Sequence, residues 1–301
     1  MDILLQTHDL TKRYGDFTAL GGVSLTLRQG DIYGLVGRNG AGKTTFFKCV
    51  MGLAKPTSGE VRIGGGHHGL NAARRQIGFM ISPSFFPYLG PRQSLEYLCH
   101  VKGVRAKGEV DRLLELVGLA GVKKPFKAFS LGMKQRLGIA GSLLGRPPIV
   151  VLDEPINGLD PQGIADMREV ILRENSDNGT TFIISSHILS ELDLVATRFG
   201  FIEQGDLMQE VTHADLHELT KKSLVIEVDD GQKAAAALKA CLGDPDLILD
   251  GNRVILESHL DCPDVIASTL VHAGLGLYRL APQETTLEEY FIRLIGGRQD
   301  G

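Results

Sequence analysis

Apolar residues fall along this chain in short runs closed by glycine, proline or acidic pairs, and their spacing alternates between strand-like and helical. Asp31-Ile32-Tyr33-Gly34-Leu35-Val36 reads as a buried strand, and Phe46-Phe47-Lys48-Cys49-Val50-Met51 as a helix ended by Gly52. Residues 2–9 and 23–28 read as strands flanking a turn, with Thr11 to Leu20 between them. Glu60-Val61-Arg62-Ile63 and Gln76-Ile77-Gly78-Phe79-Met80-Ile81 are further strands, the second halted by Pro83. Residues 91–103 and 108–118 carry helical spacing, which puts Leu95, Leu98 and Val101 on one face of the first and Leu113, Leu114 and Val117 on one face of the second. A helix over about 132–145 is broken by Pro147-Pro148. Ile149-Val150-Val151-Leu152 follows, a continuous apolar run of the kind buried on both faces of a sheet. Then come a helix near 162–176, strand 180–185, a helix from about His187 and strand 198–202. Strands alternating with helices indicate a mostly parallel sheet.

The pattern shifts near residue 220. Strand 223–229, helix 232–242, strand 246–250, a turn at Gly251-Asn252, strand 253–258, helix 263–273 and strand 275–281 give the order βαββαβ, the ferredoxin-like pattern, before a closing helix over about 285–295. The expected division is therefore a larger domain over 1–218, with a helical subdomain at about 85–145, and a small α+β domain over 219–301.

Composition narrows the picture little. The 301 residues suggest about two domains, and a net charge of −4 gives no reason to expect nucleic acid as a partner. No apolar run approaches the roughly 18 residues of a membrane helix, and Met1-Asp2-Ile3-Leu4-Leu5-Gln6 has no positive n-region, so any role at a membrane is expected to run through a partner. Cys49, Cys99, Cys241 and Cys262 form no C-x-x-C pair and read as free thiols. His67-His68, within Gly64-Gly65-Gly66-His67-His68-Gly69, reads as a solvated hairpin loop ahead of a metal site.

Candidate chemistry enters with Gly37-Arg38-Asn39-Gly40-Ala41-Gly42-Lys43-Thr44-Thr45, which fits the phosphate-binding loop G-x-x-x-x-G-K-[S/T] between the strand and helix that motif needs. Its glycines let several N–H groups turn toward one anion, and the helix N-terminus adds partial positive charge. Lys43 is placed to reach the β- and γ-phosphates, and Thr44 to offer its hydroxyl to Mg²⁺. Asp153-Glu154 ends the apolar run: the first carboxylate is placed to hold Mg²⁺ directly or through water, the second to polarise an attacking water. Between these anchors, Ser130-Leu131-Gly132-Met133 starts a helix with Ser130 as N-cap, which makes a second anion site. One triphosphate occupies one loop, so a second such helix start suggests two copies facing each other.

Together these residues make the chain similar to the ATP-binding subunit of an ABC transporter, of the bacitracin/lantibiotic-resistance exporter type. Ser130-Leu131-Gly132-Met133-Lys134-Gln135-Arg136 resembles the signature, Asp153 to Pro161 resembles Walker B running into the D-loop, and Ser185-Ser186-His187 resembles the switch-histidine segment. Tyr14 matches the aromatic that stacks on adenine. The resemblance implies an α/β P-loop NTPase with a mostly parallel core sheet, an antiparallel β subdomain and a helical subdomain, followed by the small ferredoxin-like domain. It further implies ATP and Mg²⁺ as cofactors, hydrolysis of ATP, and a head-to-tail dimer in which Ser130 and Gly132 of one copy meet the γ-phosphate bound by the other. Glu154 would be the general base, His187 would contact the γ-phosphate, and Asp160 would communicate across the interface. Integral membrane permease subunits are the implied partners, with no nucleic acid, which places the chain in the cytoplasm on the inner face of the cell membrane.

The chain departs from the family pattern at Met80-Ile81-Ser82-Pro83-Ser84-Phe85-Phe86-Pro87, one residue short, where Ser82 stands at the place of the usual Gln or Glu and reaches a metal only through water. Arg38 replaces the usual Pro and is expected to point to solvent. Phe85, Phe86 and Tyr88 are read as part of a groove for a membrane subunit's helix. Two other readings stay open: a soluble ABC ATPase acting on nucleic acid or ribosomes, and a nucleotide-gated binding module with little turnover.

Overall fold

The computed structural model describes residues 2–64, 77–105, 107–219, 222–284 and 287–296. The chain divides into two compact units, Met1–His213 and Ala214–Gly301. The His67-His68 turn lies outside the described residues.

In the first unit, β1 (Ile3–Tyr14) and β2 (Phe17–Arg28) form a hairpin that turns at Gly15-Asp16. After β3 (Ile32–Val36) crosses to another sheet, β4 (Ser58–Ile63) pairs with the free side of β1, which gives an antiparallel sheet of order β2-β1-β4. Both hairpin strands run further than their sequence pattern shows. A register shift between Thr7 and Leu10, with Asp9 at φ 46°, interrupts the alternation by which a half-buried strand is recognised.

The second sheet has the order β5-β6-β7-β3-β8-β9, from β3, β5 (Ile77–Met80), β6 (Ile149–Asp153), β7 (Thr181–Ser186), β8 (Arg198–Glu203) and β9 (Asp206–Thr212). All pairs are parallel except β8 with β9. Every residue of β3, β6 and β7 is buried, including the polar Thr181, Ser185 and Ser186 of β7 and Asp153 at the end of β6. The edge strand β9 was not legible in the sequence. Its residues are mostly half-buried and of mixed polarity, and it follows β8 through a tight turn with Gln204 at φ 50° and Gly205 at φ 87°.

Six α-helices and a 3₁₀ turn at Phe126–Ala128 complete the unit among the described residues: α1 (Lys43–Val50), α2 (Pro91–Lys102), α3 (Glu109–Leu116), α4 (Leu131–Leu143), α5 (Pro161–Asn178) and the short α6 (Leu189–Asp193). The buried face of α2 is Ser94, Leu95 and Cys99, and Val101 is exposed, because it stands about 240° around the helix from Leu95. Arg112 of α3 donates to the buried carboxylate of Glu174 on α5 at 2.6 Å, and Arg136 of α4 lies 3.5 Å from Asp166 on the same helix, which fastens the helical part to α5.

Helix α4 lies almost directly on β5. A Cβ at Gly78 of β5 would overlap the carbonyl oxygen of Ser142, which is helix backbone and cannot swing aside. Gly78→Ala is therefore expected to destabilise the unit by about 3 kcal/mol. By differential scanning calorimetry that is a drop in Tm of roughly 5–10 °C; an unchanged Tm would show that α4 slides freely on the sheet.

In the second unit, β10 (Lys222–Val228), α8 (Gly231–Leu242), β11 (Leu247–Asp250), β12 (Arg253–Leu256), α9 (Pro263–His272) and β13 (Leu277–Glu284) follow α7 (His213–Leu219), which begins at the division. The sheet order is β11-β12-β10-β13, antiparallel throughout, and α10 (Leu287–Gly296) closes the chain's described part. Leu224, Ile226, Val228, Val254 and Leu256 of the sheet form one core with Ala234 and Leu238 of α8 and with Ile266 and Leu270 of α9. This is the ferredoxin-like layout. Among the described residues no helix is long and apolar enough to cross a membrane. Cys49, Cys99, Cys241 and Cys262 are free thiols, the first two buried.

Candidate active site

The strand order puts the C-terminal ends of β6, β7 and β3 side by side, with Asp153 opposite Ser185 and Val36 opposite Ser186. Ligands bind beyond such ends in open parallel sheets. The phosphate loop leaves β3 at Gly37 and enters α1 through Gly42. Gly42 stands at φ 110°, and a Cβ there would come within 2.7 Å of the Ala19 carbonyl, so only glycine fits. As the N-cap of α1 it has no side chain to occupy the first-turn N–H groups, which are left for an anion.

Lys43 is buried, and its ammonium donates to the carbonyls of Gly37 and Arg38 and stands 3.2 Å from Glu154 Oε1. Thr44 Oγ1 donates to Asp153 Oδ2 at 2.6 Å. Ser185 Oγ donates to the other oxygen of Asp153, Oδ1, at 2.6 Å and accepts from the backbone N–H of Glu154 at 2.9 Å. Glu154 is left-handed, at φ 48°. Its Oε2 lies 2.9 Å from His187 Nδ1. Its Oε1 is buried against the Lys43 ammonium, an ion pair without an aligned hydrogen bond. A cavity of about 310 Å³ opens over this cluster, lined by Phe17, Ala19, Glu154, Arg38 to Gly40 and Gly42 to Thr45.

The structure thus gathers Lys43, Thr44, Asp153, Glu154 and His187, and leaves other expected residues elsewhere. Tyr14 is half exposed with the Lys12 ammonium 4.7 Å from its ring centre, and the aromatic that lines the cavity is Phe17, its partner across the hairpin turn. Sequence reasoning missed Phe17; an aromatic directly after a Gly-Asp turn was the available signal. Ser130 caps α4, accepting from Met133 N–H at 3.3 Å, and Asp160 caps α5, accepting from Gly163 N–H at 2.8 Å. Neither Ser130 nor Leu131, Gly132 or Met133 lines the cavity, and neither does Ser82, which is exposed. A Cβ at Gly132 would sit 3.6 Å from Leu159, so signature and D-loop adjoin within one chain. Arg38 is exposed.

The aromatic loop after β5 divides. Phe85 is half-buried and packs its ring onto Phe126, ring centres 5.4 Å apart, which sets it apart from the exposed rings beside it. Phe86 and Tyr88 stay exposed and are joined by Tyr97 of α2, 5.0 Å from Phe86.

A glycine loop before a helix, a hydroxyl and a carboxylate facing one another, and a second acid held by a histidine define a P-loop nucleotide-hydrolysing domain. The family model described as "ABC transporter" matches residues 20–157. The chain is 38% identical over 301 residues to the bacitracin transport ATP-binding protein BcrA of Enterococcus faecalis, covering 99% of this chain and 98% of that one. It is 40% identical over 229 residues to the lantibiotic transport ATP-binding protein SrtF of Streptococcus pyogenes, covering 74% of this chain and 99% of that one. A solved dimeric structure of MJ0796, a bacterial ABC transporter cassette, superposes with a TM-score of 0.62 at 26% identity, over 70% of this chain and 99% of that one. On this likeness the chain belongs to the ATP-binding subunits of ABC transporters, and it binds ATP and hydrolyses it.

Proposed function

We propose that this chain is the motor subunit of an exporter that drives a peptide antibiotic or similar amphipathic compound out of the cell through separate membrane subunits. The reading is carried by the cluster of Lys43, Thr44, Asp153, Glu154 and His187 at the ends of β3, β6 and β7. The relatives' transport of bacitracin and lantibiotics gives the cargo class.

In this reading the first-turn N–H groups of α1 and Lys43 hold the β- and γ-phosphates, and Phe17 or Tyr14 stacks on adenine. Thr44 Oγ1 and Asp153 Oδ2, hard oxygens 2.6 Å apart, suit Mg²⁺, which neutralises charge on the phosphate oxygens when bound. The Glu154 carboxylate takes the proton of the attacking water, while His187 Nδ1, 2.9 Å from Oε2, holds it in place. The signature residues lie away from their own chain's cavity, so Ser130 and Gly132 of a second copy complete the site, and Asp160 beside them links the two sites. The exposed Phe86, Tyr88 and Tyr97 receive the permease subunit, which holds the chain at the inner face of the membrane.

The test is steady-state ATP hydrolysis by the purified chain against protein concentration. A rate rising faster than linearly supports the two-copy motor. A rate strictly proportional to concentration, with the chain monomeric throughout, would remove the shared site from the mechanism.

A further inference from the structure

We propose that Ser185 is the positioning residue of this site: one buried hydroxyl that locks the metal-holding carboxylate of Asp153 and the backbone of the water-activating Glu154 into a single unit. The proposal rests on the assignment of those two acids in the preceding section.

Ser185 is fully buried near the end of β7, between Asp153 of β6 and Leu35 of β3 in the sheet register. A serine hydroxyl has one proton to give. Here it is committed to Asp153 Oδ1 at 2.6 Å, while a lone pair accepts the N–H of Glu154 at 2.9 Å. Both hydrogen bonds can form at once only if the Asp153 carboxylate and the Glu154 peptide keep a fixed mutual orientation. Asp153 Oδ2 meets Thr44, the other residue suited to the metal, so Ser185 is the partner that holds the carboxylate from behind. Glu154 needs such a tie. Its φ of 48° is a conformation that residues with a Cβ adopt rarely, and it aims the side chain at Lys43 and His187. Without the Ser185 oxygen the N–H of Glu154 would lose its acceptor and the chain after β6 would be freer to relax.

A purely structural serine makes a different prediction, and Thr181 supplies the comparison. It is on the same strand, equally buried, and its hydroxyl accepts from Gly30 N–H at 2.9 Å at the far end from the acids. Ser185→Ala and Thr181→Ala are compared in the full chain. Mn²⁺ affinity is measured by electron paramagnetic resonance with a non-hydrolysable ATP analogue bound, beside Tm, kcat and the half-saturating Mg²⁺ concentration. Ser185→Ala is expected to weaken Mn²⁺ binding and to lower kcat by about tenfold or more each, with analogue affinity in the absence of metal changed less than about twofold. Thr181→Ala is expected to lower Tm alone. If Ser185→Ala lowers Tm but leaves Mn²⁺ affinity and Mg²⁺ dependence within about twofold of wild type, the serine is structural and the proposal falls. Glu154→Gln is run alongside: full turnover in that variant would overturn the assignment of the base, while the Mn²⁺ titration would still judge the hold of Ser185 on Asp153.

Discussion

Glu154→Gln is expected to lower steady-state ATP hydrolysis by about 10²–10³-fold, the usual share of a positioned general base. The amide keeps the shape of the side chain and can still meet His187, so the loss isolates the basicity of the carboxylate. Binding should not suffer. In the wild-type structure the Lys43 ammonium stands 3.2 Å from the Glu154 carboxylate, and removing that charge leaves Lys43 more available to phosphate. The variant is therefore expected to accumulate as an ATP-bound dimer, visible by light scattering with Mg-ATP and absent with Mg-ADP. If it stays monomeric with saturating Mg-ATP, the two-copy site is wrong. If it hydrolyses at the wild-type rate, another group activates the water.

The core of the site was legible because its signals are local. The spacing from Gly37 to Thr45 and the position of Asp153-Glu154 after an unbroken apolar strand are fixed by what phosphate and metal require of neighbouring residues. What was not legible depends on contacts between distant segments. Ser185 sits in a strand that reads simply as buried, and its tie to Asp153 exists because β6 and β7 are adjacent and in register. Phe17 gains its place over the phosphate loop because the hairpin turn is two residues long, which the bulge near Asp9 conceals. Phe85 and Phe86 are neighbours with the same hydrophobicity, and packing against Phe126 and the Gly141 turn of α4 separates a half-buried ring from an exposed one. Strand β9 had no apolar pattern to read, since an edge strand needs little burial once β8 supplies its hydrogen bonds.

The proposed division of the site between two chains leads to the second large effect. Lys43→Ala removes the ammonium of the phosphate loop, and Gly132→Asp puts a carboxylate at the signature, where the proposed dimer brings the neighbouring chain's γ-phosphate. Each alone is expected to cut hydrolysis by about 10²-fold or more. The aspartate should fold normally, because a Cβ at Gly132 meets only Leu159 at an ordinary 3.6 Å. In a mixed dimer both lesions fall on one composite site and the other is wild type. An equal mixture of the two dead variants should therefore recover roughly a quarter of the wild-type rate, since half of randomly formed dimers are mixed and each holds one intact site of two. Subunit exchange can be verified with fluorescently labelled chains. Recovery would place Lys43 and Gly132 on opposite chains of one site. A mixture that exchanges freely and stays as inactive as its parts would mean that Gly132 serves the ATP of its own chain, or that one intact site cannot turn over without the other. Mixing wild type with the doubly substituted chain separates these. In that pairing each site carries one lesion if the residues act in trans, and one site is wholly intact if they act in cis. Activity per mixed dimer in the second mixture but not in the first would therefore move the signature into its own chain's site.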